Sequence, residues 1–463
     1  MKRNRTRRSV KLTMLVLILS ALILPAVVAD NERIAGIPRS EYSARRQKLM
    51  ERIKDGIVVL IGAREEEFGE VGRFRQKNDF MYLTGVEAPS SFLTLIPAGV
   101  IADKPAAETL FIPARNLLRE RWTGPQLGPG PEAERLFGVQ EIAAADKFNE
   151  RLRELLNSPA FKPATGQAPA KLYTIVLPGS AGELTRESRF IETLRRDWPS
   201  LQIADISPHL AEIRKIKSPA EIELIQKAID ITGEAQREAA GVIKRGAFEY
   251  EVQAALEAAF TRSGSERPGF PSIVGSGIYS TVLHYMRNRG KIEAGDLVVV
   301  DIGAEYSYYT ADITRTYPAD GKFTPRQREV YKLVLDAQRA AERAFKRGQS
   351  TILQLQRAAV ETMKASPLRD KDGKTLEKYF IHGLGHWLGM DVHDVGNYTN
   401  LPAGSVFTIE PGIYIPDEKL GVRIEDDYLV TENGLVKLSR KIPSDPDEIE
   451  RMISSRAQAA PQR

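Results

Sequence analysis

The chain has 463 residues, 27% of them charged and 42% hydrophobic, which is typical of a soluble protein long enough for two or three domains. It contains no cysteine, which excludes disulfides, thiolate catalysis and thiolate metal ligands, so any metal must be held by His, Asp and Glu. The formal net charge of +5 comes from the first 29 residues, which hold six basic and no acidic side chains; the remainder carries −1. No bulk basic charge therefore indicates nucleic acid as a partner.

The first 29 residues have the pattern of a secretory signal. Six basic residues precede or border an apolar run from Leu12 to Val28, and small residues lead to Ala29. We expect cleavage near Ala29 and export to the periplasm or the outside of the cell. Because the apolar run is long, a retained leader that anchors the chain in a membrane is the alternative, and only this leader would contact a membrane.

Residues 30–213 are predicted to form a first domain that mixes strands and helices. Apolar runs bounded by Gly and Pro predict strands at 57–61, 92–96 and 172–177, and a helix is expected near 186–196. The Pro/Ala/Gly-rich stretch 158–170 is predicted to be a solvated loop.

Residues 214–445 are predicted to form a second domain, followed by a tail at 446–463. Two helices should start at capping boxes with proline at the first helical position, one after Ser218 and one after Thr324. Strand pairs are expected between 297–302 and 309–316, and between 405–415 and 421–430. The predicted class is α+β, with helices packed on a largely antiparallel sheet.

Three of the five histidines of the chain lie in the stretch HGLGHWLGMDVHDVG at 382–396. His382 and His386 are four residues apart, but Gly383 and Gly385 oppose a helix there. We expect a strand or turn in which the missing side chains allow close approach of backbone. The alternative is a glycine-rich loop whose histidines have only structural partners.

Two acids follow or precede apolar strands in the first predicted strand pair. If the turn between LVVVDI and TADIT centres on Tyr306-Ser307, Asp301 and Asp312 stand directly opposite each other. Opposed buried carboxylates repel each other and require a counter-charge. A hairpin with both aspartates in solvent is the alternative.

The second strand pair repeats this arrangement. Pro411 forces Glu410 into an extended conformation at the end of an apolar strand, and Arg423 and Glu425 share one face of an alternating strand. A surface salt bridge would explain Arg423 and Glu425 alone, but not four inward acids beside a histidine cluster. Two Asp, two Glu and one His suit two divalent ions, Mn²⁺ in preference to Co²⁺ or Zn²⁺. Such a pair ionises a bridging water near neutral pH, which predicts a hydrolase.

The motifs VDIGAEY, TADITRTYP, HGLGHWLGMDVHDVG, TIEPGIY and GVRIEDD resemble those of the pita-bread metallopeptidases, in particular the aminopeptidase P and prolidase branch. FRQKNDFMYLTG at 74–85 is similar to the N-terminal domain of aminopeptidase P, and the segment 210–232 to the lead into its catalytic domain. The resemblance implies an N-terminal creatinase/aminopeptidase P-like α/β domain followed by a C-terminal pita-bread metallopeptidase domain. It also implies the metal ligands Asp301, Asp312, His386, Glu410 and Glu425.

The resemblance further implies a role for each matching residue. Asp312 and His386 would complete the ligands of one metal, Asp301 would serve the other, and the two glutamates would be shared. Glu410 would also handle the proton of the attacking bridging hydroxide. The remaining matches lie around the substrate, with His284 and His393 binding substrate and stabilising the reacting group, and His382 lining the cleft. Arg423 would hold carboxylates that lie behind the metal ligands. His209 matches no motif and is expected to be structural or exposed.

The implied activity is the release of the first residue from peptides with proline at the second position. The nearest alternative is a prolidase, which cleaves only Xaa-Pro dipeptides; the first domain disfavours methionine aminopeptidase, and the intact ligand set disfavours creatinase. A non-catalytic peptide-binding protein on the same scaffold is the alternative from another class. The family is often oligomeric, so a homo-oligomer is expected by analogy.

Overall fold

The computed structural model describes residues 32–65, 73–101, 105–159, 161, 170–176, 185–397 and 400–459. The predicted leader at 1–29 and most of the predicted loop at 158–170 lie outside these residues. Within the described ranges, no helix combines the length and the apolar character that crossing a membrane requires.

The N-terminal domain is built on a mixed six-stranded sheet. Its strands lie side by side in the order β6 (Glu141–Ala144), β5 (Ala107–Ile112), β4 (Phe92–Ile96), β3 (Gly56–Ile61), β7 (Lys171–Thr174) and β8 (Gln202–Asp205). Its central strand β3 has six buried residues and pairs antiparallel with β4 and parallel with β7. All three predicted strands are present, although the one predicted at 172–177 ends at residue 174. A small hairpin of β1 (Arg33–Ile34) and β2 (Ile37–Pro38) precedes the sheet.

Helices cover both faces of this sheet because successive side chains of β3 point to opposite sides. Val58 and Leu60 belong to a cluster with side chains of α1 (Arg39–Arg52), α2 (Asn78–Thr84) and α7 (Ser207–Arg214). Ile57 and Val59 pack with α5 (Phe148–Asn157) and α6 (Arg186–Asp197). This is the layered α/β arrangement that was expected. Two further helices, α3 (Leu117–Thr123) and α4 (Pro131–Phe137), belong to the described part of this domain.

Two helix pairs form the outer layer of the second domain. The predicted capping boxes are confirmed: the hydroxyls of Ser218 and Thr324 accept from the backbone three residues on, and Glu221 and Gln327 accept in return. Within each pair the helices pack against each other. They are α8 (Pro219–Val242) with α9 (Glu249–Arg262), and α10 (Pro325–Ala344) with α11 (Ile352–Ala365).

The helix pairs enclose strands that pair exclusively antiparallel among the residues described. One large cluster of buried apolar side chains joins the helices and strands of this domain, which confirms the α+β class. The strands are β9 (Arg267–Pro268), β10 (Ile273–Ser276), β11 (Leu297–Ile302), β12 (Ala304–Tyr306), β13 (Tyr309–Thr310), β14 (Ile313–Pro318), β15 (Val406–Ile409), β16 (Gly412–Ile415), β17 (Leu420–Arg423), β18 (Asp426–Thr431) and β19 (Gly434–Lys437).

The segment predicted as a tail at 446–463 differs from that expectation. Residues Pro446–Ala459 form helix α12, which packs against α8 and α10. Ile449, Met452 and Ile453 are buried in the core of the second domain, because their spacing places them on one helical face. The described part of the segment therefore belongs to that domain.

Candidate metal centre

The hairpin between the first two acids has a register that differs from the predicted one. Asp301 pairs with Thr314 rather than with Asp312, because the turn centres on Ser307 and Tyr308, both at positive φ, instead of on Tyr306-Ser307. The Tyr308 hydroxyl donates to Glu87 and accepts from the backbone N–H of Gln76, and both bonds hold this unusual conformation. The shift is two residues, so Asp301 and Asp312 still share one face of the hairpin.

The second pair of acids lies where two short ladders meet. Ile409 pairs with Asp426 and Gly412 with Arg423, and the same register continued through the gap sets Glu410 opposite Glu425. Pro411 lacks an N–H and interrupts the ladder at this point, although its carbonyl still accepts from the N–H of Ile424.

The segment that carries His386 runs in an extended conformation beside β15, as expected from its glycines. The backbone N–H groups of Glu410, Thr408 and Leu388 donate to carbonyls of the facing chain. A Cβ at Gly385 would lie 1.9 Å from the Thr408 carbonyl oxygen, so only glycine permits this contact.

These elements bring His386 among the acids. Its Nε2 lies 3.3 Å from Asp312 Oδ2, 3.4 Å from Glu410 Oε1 and 3.9 Å from Glu425 Oε1. Asp312, His386 and Glu425 each offer a ligand atom within 4.8 Å of the others. His386 Nδ1 lies 3.0 Å from the Trp387 carbonyl, which can only accept, so Nδ1 carries the hydrogen and Nε2 is available to a cation.

Asp301 completes the acids of a pocket of about 400 Å³ that all five predicted ligands line. Its Oδ2 accepts from Arg423 Nη2 at 2.8 Å. Arg423 therefore contacts a predicted ligand carboxylate directly. Its Nε donates to the Thr314 hydroxyl, which donates in turn to Glu425 Oε2 at 2.7 Å.

The residues present fit divalent cations, since they leave negative charge uncompensated in the protein interior. One oxygen each of Asp301, Asp312 and Glu425 is buried without a hydrogen-bond partner. Burial, together with the neighbouring Asp301, raises the pKa of Asp312 to about 7, and burial and nearby carboxylates raise the pKa of Glu425 well above its usual range. Hard cations would ligate such oxygens and remove the repulsion.

The metal-free protein should therefore lose stability as pH rises. The folded state holds the Asp312 proton more tightly than the unfolded chain does, so this stabilisation is complete below about pH 4 and is lost through about pH 7. The expected loss is on the order of 2–4 kcal/mol. Urea unfolding of chelator-treated protein at several pH values measures it, and Asp312→Asn, which cannot ionise, should flatten the curve. An identical pH dependence in wild type and variant would contradict this explanation.

Three of the other four histidines line the same pocket as the predicted metal ligands. His284 and His393 are exposed at the mouth of the pocket, where the rings of His393 and His386 are 4.2 Å apart. His382 lies deeper; burial and the charge of Arg423 lower its pKa to about 4, which keeps it neutral. His209 lies outside the pocket against Tyr173, in agreement with its predicted structural place.

Three supporting hydroxyls were not predicted. Thr314 links Arg423 to Glu425, Thr408 donates to Glu410 Oε1 at 3.3 Å, and Tyr414 joins Arg423 Nη1 to His382 Nε2, each at 2.9 Å. The signal was present in the sequence, because Thr314 is two residues from Asp312, and Tyr414 four residues from Glu410, along alternating strands.

Comparisons with known proteins agree in both domains. The profile of "Metallopeptidase family M24" matches residues 223–432, and that of "Aminopeptidase P, N-terminal domain" matches residues 42–162. The chain is 37% identical to the Xaa-Pro aminopeptidase of Escherichia coli, over 91% of this chain and 99% of that protein. It is 32% identical to Xaa-Pro aminopeptidase 3 of Homo sapiens, over 93% and 89% respectively. A structure of aminopeptidase P from E. coli with the inhibitor Pro-Leu superposes with a TM-score of 0.79 at 32% identity, covering 91% of this chain and 99% of that one.

Proposed function

Because the chain belongs to metallopeptidase family M24, in its aminopeptidase P branch, we propose that it releases the first residue from peptides beginning Xaa-Pro. The observation that carries this proposal is the group of four acids and His386 that line one pocket, three of the acids being buried. The names of the relatives support the substrate class, and the charge of the pocket suits the free α-amino group of a peptide.

The proposed cofactor is a pair of divalent cations, with Mn²⁺ preferred because oxygen donors dominate. Asp312 and His386 would complete the ligands of one ion, Asp301 those of the other, and Glu410 and Glu425 would be shared. When bound, the cations would polarise the substrate carbonyl and supply an ionised water near neutral pH.

The chain's own residues supply the proton transfers. A proline nitrogen in a peptide bond carries no hydrogen, so it must receive a proton as the bond breaks. Glu410 is suited to take a proton from the attacking water and pass it to that nitrogen, because burial raises its pKa. His393 and His284 would donate to the developing oxyanion from the pocket mouth.

Manganese-loaded protein should cleave a longer Xaa-Pro peptide, releasing its first residue. A prolidase would cleave the Xaa-Pro dipeptide and leave the longer peptide intact, so quantifying both products by mass spectrometry separates the two activities. A peptide with alanine at the second position is the control. A binding protein would cleave neither substrate, and metal analysis would then show whether it binds Mn²⁺ stoichiometrically.

We also propose that the protein is exported, with cleavage near Ala29 or retention of the leader as a membrane anchor. The support is the charge and apolar pattern of residues 1–29. Fractionation of cells that express the full chain, with N-terminal sequencing of the product, tests it. A homo-oligomer remains a proposal by family analogy, which light scattering would test.

A further inference from the structure

The motif FRQKNDF at 74–80 contacts the catalytic domain at two places. Arg75 Nε donates to Glu305 Oε1 at 2.9 Å, and the backbone N–H of Gln76 donates to the Tyr308 hydroxyl at 3.0 Å. Both partners lie in the hairpin between Asp301 and Asp312. The second contact is made by Asn78, the first residue of α2, with the loop 389–397. Asp79, the next residue, contacts Arg214, which binds the same loop.

That loop carries His393 and has no regular secondary structure. Its backbone bonds include Asp394 N–H to the Trp387 carbonyl at 2.9 Å and Gly389 N–H to the Asp391 carbonyl at 3.1 Å. His393 itself is exposed. Its ring lies 4.2 Å from that of His386 between centroids, and the backbone that carries it is flanked by two acids, Asp391 and Asp394.

A buried guanidinium joins these two acids to the N-terminal domain. Arg214, 2% exposed, donates from Nη2 to Asp391 Oδ2 and to Asp394 Oδ1, and from Nη1 to Asp79 Oδ1, each at 2.7 Å. The second oxygen of Asp394 accepts from Lys217 at 2.8 Å. Charge-assisted bonds in such a fixed fork hold geometry well.

Asn78 adds a direct link. Its amide nitrogen donates to Asp391 Oδ1 at 2.7 Å and to the Met390 carbonyl at 3.1 Å. The start of a packed helix is a rigid support for such contacts. Side chain and backbone of the loop are thus both bound on the side that faces the N-terminal domain.

We propose that Asn78 and Asp79 are positioning residues that hold the His393 loop through Asp391 and Arg214. The N-terminal domain then supports the chemistry although it supplies none of the predicted metal ligands. The inference rests on the proposed role of His393 in the reaction.

Replacing Asp79 by alanine should lower kcat by roughly 10–100-fold, because small displacements of a catalytic group carry such losses. KM should change less than about threefold and metal content not at all, and Asp79→Asn, which keeps an oxygen for Arg214, should recover much of the rate. Glu223→Ala is the matched control: it removes a carboxylate that accepts from Arg33 Nη1 at 3.1 Å between the two domains, away from the loop and from the hairpin of Asp301 and Asp312, and it should leave kcat unchanged.

A double-mutant cycle separates positioning from a general structural loss. In a His393→Ala background, Asp79→Ala should cost less than about twofold, because the residue that it positions is gone. An equal loss in both backgrounds would overturn the proposal.

Amide hydrogen exchange of residues 389–397 tests the loop without any substrate. Exchange should accelerate in Asp79→Ala and remain unchanged in Glu223→Ala. Unchanged exchange in Asp79→Ala would overturn the proposal, whatever the activity. If the wild type cleaves no Xaa-Pro peptide, the proposed function is refuted. Faster amide exchange of residues 389–397 in Asp79→Ala would still support the attachment of the loop in that case.

Discussion

Replacing Asp312 by alanine is expected to abolish peptide hydrolysis, with kcat/KM falling about 10³-fold or more, since the proposed metal pair would supply several kcal/mol of transition-state stabilisation. Asp312 Oδ2 lies beside His386 Nε2, and its second oxygen is unpartnered. Without this carboxylate one cation would lose a charged ligand. Steady-state kinetics and metal analysis of the purified variant measure both losses.

The same result is expected for Glu425→Ala. Glu425 is only 2% exposed, and its Oε1 lies 3.9 Å from His386 Nε2. Asp296→Asn is the control, because burial also raises the pKa of Asp296 but its carboxylate accepts from the backbone N–H of Glu293 instead of lining the pocket. Full activity in either alanine variant would refute the ligand assignment.

Replacing His393 by alanine should lower kcat by about 10²–10³-fold, the loss typical of removing one oxyanion donor. The ring is exposed at the pocket mouth, so the variant should fold and bind metal as the wild type does. Melting temperature, metal content and kcat are the three measurements.

His209→Ala provides the matched control, since it removes a histidine that lies against Tyr173 in the N-terminal domain. It should leave kcat and metal content unchanged. If metal content collapses in His393→Ala, then His393 is a ligand and the proposed division of roles is wrong.

Patterns with a local cause could be predicted from the sequence. The capping boxes at Ser218 and Thr324, the central strands of the first sheet and the extended segment around Gly385 all follow from backbone chemistry within a few residues. The acids could be assigned to one pocket because successive side chains of a strand point to opposite faces of the sheet. A two-residue error in register leaves each side chain on the same face. The register itself was wrong, because nothing local indicates that Tyr308 adopts positive φ; its partners Gln76 and Glu87 are more than 200 residues away.

The unpredicted parts depend on contacts between distant segments. Arg214 joins Asp79 to the acids beside His393, Asp391 and Asp394, which lie more than 170 residues further along the chain, and no local periodicity predicts such a contact. The segment 446–463 is predicted from the sequence to be a tail, whereas Pro446–Ala459 form α12. The burial of its apolar side chains depends on contacts with α8 and α10, which the sequence of the segment alone does not predict.

The contact between Gly385 and the Thr408 carbonyl has a consequence for how the protein tolerates change. The separation between the chain bearing His386 and the strand leading to Glu410 is fixed by main chain against main chain. Substitutions among neighbouring apolar side chains can alter packing without changing that separation. The spacing between His386 and Glu410 is therefore independent of sequence changes in the surrounding core. A change in the spacing would require displacement of an entire strand.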